Sequence, residues 1–125
     1  MTRYLLDTDT AIYAMLGSYP EIAERLSTCE PGEVAISVIS FAEIVMGEGQ
    51  GKPPDMPVIE AFVRVVPMLP FDELAARAYA QLPFRRRSYD RLIAAHALSI
   101  GATVVTNNEG DFTDVPGLKV ENWTM

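Results

Sequence analysis

Four carboxylates stand at the ends of apolar stretches or the starts of helical ones. They are Asp7 after Tyr4-Leu5-Leu6, Glu43 in Ser40-Phe41-Ala42-Glu43, Asp90 ahead of Arg91-Leu92-Ile93, and Asp111 in Asn107-Asn108-Glu109-Gly110-Asp111. Gathered into one pocket, acids repel and raise one another's pKa, a situation that a divalent cation relieves. Oxygen ligands without His or Cys select Mg²⁺ or Mn²⁺ over zinc. Such a cation orients a water, lowers its pKa and stabilises charge on a phosphodiester leaving oxygen. Each acid also has a plainer explanation. Asp7 can cap the helix that follows it through free N–H groups. Glu43 fits an S/T-x-x-E capping box with Ser40, and on spacing alone capping is the stronger reading. Asp90 lies in a first helical turn, where the macrodipole favours a negative charge and holds it ionised. Asp111, taken alone, reads as a loop acid. Thr8, Ser37 and Thr106 are placed to hydrogen-bond these acids.

Positioning acids so far apart in sequence requires a particular set of elements. Arg3–Leu6 reads as a short strand, and Ala11, Ile12, Met15 and Leu16 have helical spacing up to a stop at Gly17. Pro20 opens a second helix ending before Pro31-Gly32. Val34–Ser37 is a buried strand, followed by a helix near Ser40–Gly47 and a Gly- and Pro-rich surface loop over Gly49–Pro57. A helix around Val58–Val65, a strand near Val66–Leu69 and a helix from Asp72 to about Leu82 come next. Pro83–Ser88 is a connector, and Asp90–Ile100 is the clearest amphipathic helix, stopped by Gly101. Thr103–Thr106 and Leu118–Trp123 complete the strands. Short strands alternating with helices predict an α/β fold, a three-layer α/β/α sandwich with a short parallel sheet. In such sheets ligands sit beyond the carboxyl ends of the strands, where Asp7 and the Asn107–Asp111 segment fall.

With 125 residues, 49% of them apolar, the chain suits one domain over residues 1–125 with a core of its own. No apolar run approaches the roughly 20 residues that span a bilayer, and the first residues lack a signal-peptide layout, so the expected compartment is the cytoplasm. Cys29 is the single cysteine, which rules out an intramolecular disulfide and a Cys/His zinc site. The net charge of −7 argues against binding nucleic-acid phosphates, except that Arg85, Arg86, Arg87 and Arg91 concentrate basic charge just around Asp90. Arg85, Arg86 and Arg87 are either a solvated run or a phosphate clamp beside the metal. His96, on a largely different helix face from Asp90, reads as a packed structural residue. Cys29, without a neighbouring base, reads as a small packed side chain, and Trp123 as packing for the last strand.

The segments Tyr4-LLDTD, Ser37-VISFAEIVMG, Tyr89-DRLIAAHALSIGATVVTNN, Asp111-Phe and Pro116-GLKVENW resemble, in this order and nearly end to end, the PIN domain of VapC-type toxins. The resemblance implies a Mg²⁺- or Mn²⁺-dependent endoribonuclease acting on RNA, frequent homodimerisation, and inhibition by a small antitoxin that blocks the acidic site. Asp7, Glu43 and Asp90 match the family's first three acids, with Asp7 and Asp90 as the direct metal ligands. Many family members carry an acid straight after the Thr-Asn of the last-but-one strand. Asn108 stands there in this chain, leaving Asp111 as the fourth acid and Asn108 as a sharer of its role. Two other readings stay open. Asp7-Thr8-Asp9-Thr10 resembles the DxDx[TV] nucleophile motif of haloacid-dehalogenase phosphatases, although the only lysines, Lys52 and Lys119, sit in a loop and near the C-terminus. Alternatively the acids are only caps, and the fold serves as a non-catalytic protein-binding module.

Overall fold

A computed structural model describes residues 1–83 and 88–125. The elements run β1 (Tyr4–Leu6), α1 (Thr8–Leu16), α2 (Pro20–Ser27), β2 (Val34–Ser37), α3 (Val38–Gly49), α4 (Met56–Val65), β3 (Met68–Leu69), α5 (Glu73–Ala80), α6 (Tyr89–Ile100), β4 (Thr103–Val105), a 3₁₀ turn (Glu109–Asp111) and β5 (Val120–Glu121). The strands form one parallel sheet in the order β3-β2-β1-β4-β5. β1 is the central strand, with Leu6 opposite Ile36 of β2 on one side and Val105 of β4 on the other.

Both faces of the sheet are covered, as the alternation of its side chains requires. Leu6, Val34, Ile36 and Val105 pack with Ala11, Ile22, Ile44 and Ile59 from α1–α4. Leu5, Ala35 and Val104 point the other way, onto Ile93, Ala94 and Ala97 of α6. The small residues of α6 let its backbone approach the sheet closely, which brings the helix start, and Asp90 with it, over the strand ends. The predicted three-layer sandwich is therefore the observed one.

Element boundaries move where a cap decides them. The third helix begins at Val38, because Ser37 is its N-cap and accepts from the Ile39 N–H. Ser40 lies inside that helix, buried, and its hydroxyl has no hydrogen-bond partner. The capping box expected at Ser40 and Glu43 is absent. The expected Gly49–Pro57 loop is shorter, since Asp55 accepts from the Val58 N–H and starts α4 at Met56, with Pro57 in its first turn. The last strand shrinks to Val120–Glu121. Among the described residues, no helix is long and apolar enough to cross a membrane.

Candidate active site

The order β3-β2-β1-β4-β5 changes direction between β1 and β4, and a crevice opens beyond the carboxyl ends of strands at such a switch point. Asp7 leaves β1 there. Its N–H donates to Val105 O, and its carboxylate accepts from the Thr10 N–H at 2.9 Å, so it both caps α1 and belongs to the crevice. Only 3% exposed, Asp7 has its pKa raised by burial, while the Thr106 hydroxyl and the Thr10 N–H pull the other way.

Glu43 sits in the second turn of α3, where it caps nothing and instead accepts from the Thr8 hydroxyl at 2.6 Å. This contact ties α3 to the first turn of α1. Partial burial, then the charges of Asp9 and Asp7, hold the Glu43 carboxyl above its ordinary range, although the Thr8 hydrogen bond opposes them. Asp90 occupies the first turn of α6, behind the cap that Ser88 gives to the Arg91 N–H. Its pKa is pushed up to about 6 by burial and by Asp111, Asp7, Glu43 and Asp9. The helix macrodipole favours its carboxylate, whereas desolvation and the four surrounding acids act the other way and dominate the shift, leaving the group still mostly ionised at neutral pH.

Asp111 closes the 3₁₀ turn after β4 and is exposed, yet it is the largest charge acting on Asp90. The structure thus brings Asp7, Glu43, Asp90 and Asp111 into one electrostatic field. Asp9, considered in sequence only as part of a phosphatase-like motif, joins them as a fifth acid; the signal was its place in the first turn after Asp7. Asn108 is exposed, and its backbone N–H donates to the Thr106 hydroxyl oxygen. Thr8 and Thr106 meet acids as expected. Ser37 does not. Its hydroxyl caps α3 and lies 2.8 Å from His96 Nδ1.

His96 is packed and buried, edge-on to Phe71, with burial lowering its pKa, in keeping with a structural role. Cys29 donates to Arg25 O. Arg91 is 2% exposed and paired with Asp114, so it is no part of a basic surface patch. Arg85, Arg86 and Arg87 lie outside the described residues. A separate apolar groove of about 680 Å³, lined by Met15, Leu26, Phe62 and Val65 among others, opens near Val34 at the other end of β2 and carries no acid cluster.

The site's donors are oxygens throughout. Among the described residues, no three His, Cys, Asp or Glu side chains converge into a closed metal cage. A hydrated hard cation, which keeps several of its waters, needs only one or two carboxylates. Asn107 Oδ1, directly after Thr106, is buried without a hydrogen-bond partner, an orphaned oxygen of the kind that a hydrated hard cation satisfies. The residues present fit such an ion.

A profile of the PIN domain matches residues 4–118. The chain belongs to the PIN-domain family. Within it, this PIN domain is 32% identical to a protein of Salmonella typhimurium named tRNA(fMet)-specific endonuclease VapC, with 98% of this chain and 99% of that one aligned. It is 30% identical to Ribonuclease VapC2 of Haemophilus influenzae over 98% of this chain and 99% of that one. Its backbone superposes on that of DNA-bound VapBC from Salmonella typhimurium with a TM-score of 0.87 at 31% identity, covering 98% and 99% of the two chains. On promoter-bound VapBC2 of Rickettsia felis the score is 0.85 at 27% identity, with the same coverage. Membership in this family removes the phosphatase reading of Asp7-Thr8-Asp9-Thr10.

Proposed function

We propose that the chain is a divalent-metal-dependent endoribonuclease, the toxin of a toxin–antitoxin pair, formed by one PIN domain over residues 1–125. The observation that carries the reading is the convergence of Asp111, Asp7, Glu43 and Asp9 on Asp90 at the sheet's switch point, where burial first and then these charges raise its pKa. Asp7 and Asp90 are the residues that would hold the cation, Mg²⁺ in the first instance with Mn²⁺ able to replace it. The chemistry such an ion supplies is acidification of water and neutralisation of charge on a phosphodiester.

The chain's own residues prepare that chemistry. Asp7 is immobilised by the α1 N-terminus and by Thr106, which sets one wall of the site. The Thr8 hydroxyl fixes one oxygen of Glu43, and the remaining acceptor capacity of that carboxylate can orient a water for attack. Asp90 holds a proton below about pH 6 and releases it as positive charge arrives. Asp111 adds charge on the solvent side.

The relatives named for their action on RNA direct the substrate class to RNA, and transfer RNA is the first to try. The complexes that the fold resembles direct the partner to a small antitoxin. A cytoplasmic location, where Cys29 stays reduced, completes the proposal.

The deciding experiment purifies the protein free of any partner, adds Mg²⁺ or Mn²⁺, and follows cleavage of structured RNA. Loss of a residue that merely orients a ligand costs roughly 10–100-fold. Asp7→Asn and Asp90→Asn should therefore each lower the rate by more than that while circular dichroism stays unchanged. Cleavage that persists in EDTA, or in both variants, defeats the proposal, whereas pure protein that cuts no RNA with either metal leaves the non-catalytic module standing.

A further inference from the structure

We infer that a small pocket beside Glu43 is a nucleobase subsite, holding one unstacked base of the RNA next to the phosphate being cut. The inference rests on the ribonuclease reading above. The pocket, about 190 Å³, is lined by Ala42, Glu43, Met46, Gly47, Gln50, Lys52 and Tyr89. The four residues from α3 fall on one face of that helix with its C-cap Gln50 beside them, Tyr89 begins α6 across from it, and Lys52 comes from the loop after α3.

Three features point to a base of RNA. First, size: the volume falls short of the ~300 Å³ at which whole-ligand pockets begin, and so suits a flat fragment of a longer ligand. Second, surface: Tyr89 is 54% and Met46 62% exposed, and Tyr89 is the one aromatic among the described residues that is mostly exposed. An aromatic ring and a polarisable thioether left at a pocket mouth are a stacking surface for any base, and Gln50 can both donate to and accept from a base edge. Third, charge: Arg3, Arg25, Arg77 and Arg91 are each held in an ion pair. Of the other cations among the described residues, Lys52, Arg64 and Lys119, only Lys52 lines a pocket with a site acid. A cation beside an acidic cluster offers a phosphate a seat that the rest of the site denies it.

Two residues of the site are shared with the chemistry by position alone. Glu43 forms one wall of the pocket, and Tyr89 directly precedes Asp90, so a base seated here places its flanking phosphates against the acids. Gly47 leaves room. A Cβ there would meet only the Lys52 side chain, at 3.8 and 3.9 Å, which is ordinary van der Waals contact, and Gly47 itself lines the pocket.

The test uses a short RNA that the wild-type protein cuts, together with versions carrying an abasic ribose at each position flanking the cut. Base–aromatic stacking predicts that one such abasic position lowers wild-type kcat/KM by roughly 5- to 150-fold, chiefly through KM. Tyr89→Ala and Gly47→Leu should lose a comparable amount on the intact RNA and become indifferent to the abasic substitution, with Mn²⁺ affinity unchanged. Gly47→Leu also improves helix propensity, so misfolding does not explain its loss. Wild-type cleavage indifferent to every abasic position, or Tyr89→Ala as sensitive as wild type, overturns the inference. Variants that cut RNA normally but fail to bind a protein inhibitor make the pocket a protein contact, which overturns it equally. A wild-type protein that cuts no RNA overturns the ribonuclease reading as well, so the two failures are distinct.

Discussion

At the scale of single residues, Asp90 sets a pH dependence whose sign follows from its environment. The fold disfavours its carboxylate, so the folded protein binds this proton more tightly than the unfolded chain does, with a pKa of about 6 against 3.8. As pH rises through that window the proton is lost, and metal-free protein becomes less stable; below it both states are protonated and the penalty vanishes. Thermal melts of the metal-free protein should thus show Tm falling between about pH 4 and pH 6.5, beyond any general trend seen in Asp90→Asn. That variant should melt higher than wild type at pH 7.5, since it removes one of several crowded charges. Mn²⁺ affinity should move oppositely, strengthening as pH rises through about 6, because the cation competes with this proton. Calorimetric titration at pH 5.5 and 7.5 measures it.

At the scale of elements, the hydroxyl of Ser37 joins three of them. It caps α3 at the end of β2 and meets His96 of α6, the contact with His96 being buried. Ser37→Ala therefore removes a cap, worth roughly 0.5–2 kcal/mol, and strands a buried imidazole nitrogen at a further ~1–3 kcal/mol. Urea unfolding should show a loss of about 2–4 kcal/mol, with Ser37→Thr recovering most of it. A loss no larger than that of Asp72→Ala, which removes an ordinary cap from α5, would count against the coupling. The same element-level view explains Glu43. Its helix is capped by Ser37 and starts at Val38, not near Ser40, and that shift carries the glutamate from a capping position to one facing Thr8.

Two contacts between distant segments hold the whole molecule in register. Arg91 at the start of α6 is buried against Asp114, which anchors the segment carrying Asp111 over Asp90. Asp114→Ala leaves the guanidinium charge buried without this carboxylate, at a cost of about 3–5 kcal/mol. It should also weaken Mn²⁺ binding by freeing Asp111, which titration of the folded variant would detect. Trp123, 1% exposed, packs edge-on to Tyr4 of β1 and beneath Arg25 of α2, and donates to Glu121. Trp123→Ala should destabilise the protein by ~3–5 kcal/mol in equilibrium unfolding, as for other buried aromatics.

Much of this protein was legible before folding was considered. Short apolar runs at Tyr4–Leu6 and Val34–Ser37, helical spacing before Gly17 and Gly101, and acids placed at a strand end or in a helix's first turn carry the parallel α/β layout and point to Asp7 and Asp90 locally. Those signals are short-range, set by backbone geometry and by which side chains avoid water. What only tertiary structure decides is what each polar group finds on the other side of a gap. Ser40 and Glu43 spell a capping box that the chain does not use, because Ser37 takes the cap. Arg91 reads as one of four clustered cations until Asp114, from beyond β4, buries it. Asp90 reads as an acid steadied by a helix terminus until Asp7, Glu43, Asp9 and Asp111 converge on it. Sequence spacing fixes which residues share an element's face, whereas burial and charge depend on neighbours many residues away.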